Sequence, residues 1–224
     1  LSLFLRVQQV QKGSPTQYYE MHLDGSEHYT EELLIEPSTL PKRSFRFKVS
    51  PSAFFQPNPR QAERLYARAL EMAELNANQT LWDLCCGIGS IGICAAPHVA
   101  AVVGVEVMPE AILDARQNAE MNGVENIRFF CEEVGNVALL AQREGLALPD
   151  VVIVDPPRAG LGEVGIEAIC RLAPQRLIYI SCQPKTQADD LVALTQRGYR
   201  CVALQPVDQF PQTPHLENIA LLIR

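Results

Sequence analysis

The stretch Leu81-Trp82-Asp83-Leu84-Cys85-Cys86-Gly87-Ile88-Gly89-Ser90-Ile91-Gly92 constrains this chain more than any other. A short apolar run breaks at glycines spaced GxGxxG, and a helical pattern over residues 91–96 begins behind them. A strand that feeds a helix through so tight a turn belongs to a βα unit, whose helix carries the chain back to a parallel neighbour. The rest of the chain repeats the alternation. Apolar runs at 101–105, 127–131, 151–154 and 176–180 are interleaved with amphipathic stretches at 109–121 and 186–196. This predicts an α/β fold around a mostly parallel sheet. The last two runs, 200–204 and 219–223, are joined by a loop too short for a helical crossover, so they should form an antiparallel pair.

Ahead of this region, Leu65, Ala69, Met72 and Leu75 recur at helical spacing, with Arg60, Arg64 and Glu71 on another face. Residues 1–50 read differently. Alternating segments such as Leu3-Phe4-Leu5-Arg6-Val7 and Ser44-Phe45-Arg46-Phe47-Lys48-Val49 are punctuated by Lys12-Gly13-Ser14-Pro15 and Asp24-Gly25-Ser26, which predicts hairpins. The expected organisation is a β-rich appendage over 1–50 and a larger α/β unit over 51–224. A chain of 224 residues, 47% hydrophobic and 20% charged, suits one sizeable domain plus a small addition. No apolar run approaches the roughly 18 residues of a membrane span, and the first ten residues have no leader pattern, so the expected location is the cytoplasm. Leu1 in place of an initiating Met leads us to expect a piece of a longer protein.

The net charge of −7 excludes a surface that attracts nucleic acid everywhere, so any such contact must be local. Seven cysteines, Cys85, Cys86, Cys94, Cys131, Cys170, Cys182 and Cys201, form neither a CxxC zinc pattern nor an even disulfide set. They read as reduced thiols, with no metal site. Packing at the loop is expected of Cys85 and Cys86, and burial of Cys94, Cys131, Cys170 and Cys201.

Two carboxylates sharpen the reading of the glycine loop. Glu106 ends the next strand at the offset, about 20 residues on, of a ribose-binding acid, and Asp83 lies just ahead of the glycines. A dinucleotide pyrophosphate has little use for a carboxylate beside it. The DxxxGxG form fits S-adenosylmethionine, whose amino-acid end carries an ammonium and a sulfonium, ahead of NAD. Further on, Asp155 sits at a strand end before Pro156-Pro157-Arg158, at the sheet edge where open α/β folds bind ligands. Cys182 ends the next strand, ahead of a helix whose N-terminus is expected to lower its pKa, and is the candidate nucleophile. The loop from Val207 to Glu217 carries two prolines, His215 and Glu217, so that Glu217 is available as a base.

Five blocks in order carry a resemblance. They are Ser52-Ala53-Phe54-Phe55-Gln56-Pro57-Asn58, Asp83–Gly89, Asp155-Pro156-Pro157-Arg158-Ala159-Gly160-Leu161, Ser181-Cys182-Gln183-Pro184 and Asp208–Glu217. From about Phe45 onward the chain resembles the S-adenosylmethionine-dependent RNA uridine-C5 methyltransferases, which make 5-methyluridine in ribosomal and transfer RNA. The resemblance implies a Rossmann-like class I methyltransferase fold with a seven-stranded sheet. It implies Cys182 as the thiolate that adds to C6 of uracil and Glu217 as the base that removes the C5 proton. Gln56, Gly87, Glu106 and Asp155 correspond to cofactor-pocket positions, as do Cys85, Ser90 and Glu133, where the family has an aromatic residue and two amides. Gln183 replaces the usual Asn. The implied partner is RNA, reached by extruding the target base, with the protein acting as a monomer. Residues 82–84 and 54–58 look like the branch acting on 23S ribosomal RNA, and residues 208–211 like the transfer RNA branch. Lys42, Arg43, Arg46 and Lys48 are candidate phosphate contacts. Two other functions fit parts of the pattern: an NAD-dependent oxidoreductase, from the glycine loop alone, and a non-catalytic RNA-binding or assembly factor.

Overall fold

The computed structural model describes residues 3–9 and 17–224, so the turn expected at Lys12–Pro15 lies outside the described residues. Strands β1 (Leu3–Gln9) and β2 (Gln17–Asp24) pair antiparallel, as do β3 (Tyr29–Ile35) and β4 (Arg43–Val49). In the second hairpin Leu33, Ile35, Phe45, Phe47 and Val49 alternate with exposed or half-buried residues and turn inward. They pack on helix α1 (Pro59–Ala73) and on the helix Pro109–Met121 further along the chain. Asn58 caps α1 by accepting the Gln61 N–H at 3.4 Å, and Pro59 follows it at the first helical position.

From residue 80 the βα alternation takes over: β5 (Thr80–Leu84), α2 (Ser90–Ala95), β6 (Ala101–Glu106), α3 (Pro109–Met121), β7 (Ile127–Cys131), α4 (Val137–Glu144), β8 (Val151–Val154), α5 (Gly162–Leu172), β9 (Arg176–Ser181), α6 (Pro184–Thr195), β10 (Arg200–Val207) and β11 (Glu217–Ile223). The seven strands from β5 onward form one sheet in the order β10-β11-β9-β8-β5-β6-β7. Strands β5 to β9 are mutually parallel, while β11 is antiparallel to both β9 and β10. The predicted sheet and its antiparallel C-terminal pair are therefore present. The sequence left helices α4 and α5 unassigned. Helix α5 begins at Gly162 and contains Gly165, both poor helix formers, and it forms because Ile166, Ile169 and Leu172 are buried against the sheet. Among the described residues no helix is long and apolar enough to cross a membrane.

The sheet separates two cores. Leu81, Val151, Ile153, Ile178 and Ile180 face one with α1, α3 and the β3–β4 hairpin. Trp82, Leu84, Val152, Val154, Leu177 and Tyr179 face the other with α4, α5 and α6. This period-two alternation, buried on both sides, explains why the strands read as continuous apolar runs. The hairpin is also held by paired amides on α3. Asn118 accepts the Lys48 N–H at 2.7 Å and donates to the Lys48 carbonyl at 3.1 Å. One turn later Asn122 does the same for Arg46, at 2.9 and 2.7 Å. The side-chain amides continue the ladder of β4 and so fix where the chain leaves for Phe54, Phe55 and Gln56.

Candidate active site

The chain winds outward in both directions from β5, leaving a crevice at the strand ends between β5 and β8. Cys85 follows β5 there in a left-handed conformation at φ 58°, and Asp155 follows β8. A cavity of about 770 Å³ opens at this point. Its wall includes the nine residues to which the family resemblance gives catalytic or cofactor-pocket positions: Gln56, Cys85, Gly87, Ser90, Glu106, Glu133, Asp155, Cys182 and Glu217. Positions up to 161 residues apart in the chain share one space. Phe54, Tyr66, Arg158 and Phe210 line it too, and the sequence reading gave none of them a role. Tyr66 sits on a helix face that reads simply as core, and only its 3.0 Å hydrogen bond with Ser90 reveals its place. For Arg158 a signal existed, the rigid Pro156-Pro157 exit immediately before it.

The antiparallel insertion of β11 beside β9 places the catalytic candidates. Asn218 is registered with Ser181, and Glu217 and Cys182, one residue beyond each, come to the same end of the sheet. Ser181 Oγ accepts the Gln183 N–H at 3.0 Å and turns the chain around the cysteine. Glu217 is buried, with Oε2 lacking any hydrogen-bond partner, and burial pushes its pKa up to about 7 against the pull of the Arg158 guanidinium. Desolvation, followed by Glu217 and Asp83, raises the Asp155 carboxyl well above the usual carboxylate range. The Cys182 thiol departs from expectation. Its pKa is raised, not lowered, because burial and the Glu217 carboxylate outweigh Arg158, the cation facing it. Cys85, deeper in the wall, is pushed up to about 12 by burial and then by Glu106 and Asp155.

The glycines divide their work in a way the spacing did not show. Gly87 alone of the three borders the cavity, and its N–H donates to Glu106 Oε2 at 3.0 Å. A Cβ on Gly89 would lie 2.7 Å from Phe129, and one on Gly92 would lie 2.9 Å from Asp83 Oδ2. These two permit packing, not ligand approach. Asp83 is fully buried under the loop and accepts the Gly92 N–H at 2.7 Å, so it anchors α2 to β5 and does not line the cavity. Glu106 also accepts the N–H groups of Val107 and Met108, at 2.8 and 3.0 Å, which fixes its carboxylate at the rim. At the opposite wall, Asn58 and Gln209 exchange side-chain-to-carbonyl hydrogen bonds at 3.4 and 3.3 Å, tying the Phe54–Asn58 segment to the final loop.

The remaining cysteines and lysines depart in part from the sequence reading. Cys94 is buried, whereas Cys131 is exposed and Cys170 and Cys201 are half-buried, and all seven thiols are free. Lys48 is directed to Gln117 at 2.7 Å and Asp114 at 3.9 Å, and Lys42 to Glu36 at 3.3 Å, so both are engaged within the protein. His215 is exposed and packs edge-on against Phe210, with ring centres 6.4 Å apart.

Residues 22–224 match the family model of the tRNA (uracil-5-)-methyltransferases. The chain belongs to this family. An uncharacterized RNA methyltransferase of Protochlamydia amoebophila is 48% identical over 222 residues, 99% of this chain and 50% of that protein. One from Chlamydia trachomatis is 37% identical over 223 residues, covering all of this chain and 54% of its own length. The chain thus spans about half the length of the curated relatives it matches. Among solved structures, a Pyrococcus abyssi tRNA (uracil-54, C5)-methyltransferase in complex with S-adenosyl-L-homocysteine superposes with a TM-score of 0.72 at 31% identity, over 92% of this chain and 46% of that one. The likeness makes the doubly wound sheet a Rossmann-like methyltransferase fold.

Proposed function

We propose that the protein transfers the methyl group of S-adenosylmethionine to C5 of a uridine in RNA. The observation that carries this reading is the convergence of Cys182, Glu217 and Asp155 on the same cavity as the glycine loop and Glu106. The donor set suits a cationic ligand. Glu106, Glu132, Glu133, Asp155 and Glu217 line the cavity against one guanidinium, Arg158, and the Gln56 and Glu217 side chains each present an unpartnered buried oxygen. A dinucleotide pyrophosphate would meet repulsion, and the Gly87 N–H that would receive it is engaged by Glu106. This favours the methyl donor over NAD. When bound, S-adenosylmethionine supplies an electrophilic methyl carbon on a sulfonium.

C5 of uracil is a weak nucleophile, and Cys182 is placed to change that. As thiolate it forms a C–S bond at C6, which shifts electron density onto C5 and lets C5 displace the methyl carbon from sulfur, whose bonding pair stays with the thioether of S-adenosylhomocysteine that leaves. Glu217, with a pKa of about 7, is poised to take the C5 proton near neutral pH. The electrons of that C–H bond restore the C5–C6 double bond while the C–S bond breaks and Cys182 is released. Arg158 favours the thiolate. Phe54, exposed at the rim, offers an aromatic face to a base extruded from single-stranded or looped RNA. Residues 1–50 serve as an RNA-facing region of a monomer acting in the cytoplasm. Ribosomal RNA is the first substrate pool and transfer RNA the second.

Incubation with 5-fluorouridine-substituted RNA and S-adenosylmethionine tests this reading. Fluorine at C5 cannot be removed as a cation, so a denaturation-resistant adduct should accumulate on Cys182, and sequencing its RNA names the substrate. Cofactor binding without an adduct, or an adduct on another residue, would refute the mechanism. NAD binding in calorimetry in place of S-adenosylmethionine would refute the reaction class.

A further inference from the structure

Helix α6 begins two residues after Cys182 and reaches back to both other elements of the catalytic cluster. Thr186 Oγ1 lies 3.0 Å from the Arg158 carbonyl, in the loop that leaves β8, and 3.1 Å from the Gln183 carbonyl, so its single proton is shared between that loop and its own turn. Asp190, one turn on, holds the end of that loop. Its Oδ2 accepts the Leu161 N–H at 2.7 Å and the Tyr179 hydroxyl at 2.6 Å. Gly160 makes this approach feasible, since it adopts φ +79° and a Cβ there would lie 2.6 Å from Asp190 Oδ2. Gln187, almost wholly buried, faces the strands. Its Nε2 donates to the carbonyls of Tyr179 at 2.8 Å and Asn218 at 3.2 Å, and its Oε1 accepts from Asn218 Nδ2 at 2.6 Å. Asn218 is the residue after Glu217.

We propose that α6 is a positioning brace for the reaction, in which Thr186, Gln187 and Asp190 hold the Arg158 loop and the Glu217 strand end in register with Cys182. This rests on the proposed function for its kinetic readout but not for its chemical one. None of the three brace residues lines the cavity, so they act through others as positioning residues. The half-buried hydroxyl of Thr186 is the member whose loss the fold tolerates best. Its removal frees the Arg158 carbonyl and lets the guanidinium drift from the thiol. The groups facing Cys182 are Arg158, Glu217 and Asp155, so losing the cation leaves two carboxylates in command.

The test compares Thr186→Val, Thr186→Ser and Gln187→Ala with the parent protein in two assays. The first is iodoacetamide alkylation of Cys182 against pH, read by peptide mass spectrometry without RNA or cofactor. The second is steady-state methyl transfer together with S-adenosylmethionine binding by calorimetry. Thr186→Val should move the alkylation midpoint upward, by up to about one pH unit. Its kcat should fall about tenfold to a hundredfold, the cost of misplacing reacting groups by roughly an ångström, with cofactor affinity unchanged. Thr186→Ser should restore both, and Gln187→Ala should lower kcat through Glu217. Parent-like alkylation and kcat in Thr186→Val and Gln187→Ala, or a Thr186→Val defect that serine does not repair, would overturn the brace. If the parent protein methylates no RNA, the alkylation midpoints decide alone: a shift supports the brace while the proposed function fails, and no shift refutes it.

Discussion

Replacing Asp83 by Asn should remove a pH-dependent weakness built into the glycine loop. Asp83 is fully buried, with its Oδ2 on the Gly92 N–H and its Oδ1 without a partner, and its pKa is raised from 3.8 to about 7, chiefly by desolvation and further by Glu106. Below about pH 4 both folded and unfolded chains hold the proton and there is no penalty. Between there and pH 7 the unfolded chain releases it while the folded one retains it, so stability falls as pH rises. A span of about 3 pH units at about 1.4 kcal/mol each gives a loss of about 4 kcal/mol, which levels off above pH 7. Asn offers the same acceptor to Gly92 but cannot ionise. Its own unpartnered amide adds a cost that does not vary with pH. Asp155 and Glu217 have raised pKa values as well, so the decisive quantity is the difference between parent and Asp83→Asn stabilities. Urea unfolding at pH 5, 6, 7 and 8 measures it. The difference should shift in favour of Asn by about 3 kcal/mol from pH 5 to pH 8. Parallel curves would show that Asp83 is ionised in the folded protein throughout, contrary to the burial argument.

Glu217→Gln should slow methyl transfer by about 10²- to 10⁴-fold, the usual worth of a general base, and let a methylated covalent RNA adduct build up that survives denaturation. In the parent protein the single-turnover rate should climb through pH 7 as Glu217 loses its proton, and a flat profile from pH 6 to 8 would assign proton removal elsewhere. Gly104→Ala should destabilise the sheet by about 1–3 kcal/mol, the range for overpacking, because its Cβ would meet Phe129 at 2.4 Å. Phe129→Leu should recover part of the loss, as read by thermal unfolding of the double variant.

Local chemistry made much of the protein legible in its sequence. Apolar runs of four or five residues marked β7 and β8 at their observed bounds, and β8, buried at every position, has no polar side to blur its ends. The carboxylates, glycines and cysteine at the strand tips were equally visible, since a doubly wound sheet places its ligand-binding groups at those tips whatever their distance in the chain. Helix α5 was hidden because its glycines contradict its packing, and the Asn118 and Asn122 clamps because an amide on a helix gives no sign of which backbone it will meet.

The balance of forces inside the cavity came from the packing of distant segments. The sequence placed Cys182 before a helix and predicted a lowered pKa, but β11 inserts between β9 and β10 and brings the Glu217 carboxylate within electrostatic reach of the thiol. Burial of the thiol, and after it the Glu217 carboxylate, raises the Cys182 pKa against the pull of Arg158, because both disfavour the thiolate. In the same way Asp83, read beside the ligand, became an anchor beneath the loop, and Thr186, Gln187 and Asp190, silent in the sequence, came to touch both walls of the cluster. The order of residues along the chain set which chemical groups reach the strand tips. Strand order and register determined which of them face each other, and that is a property of pairings between segments far apart in the chain.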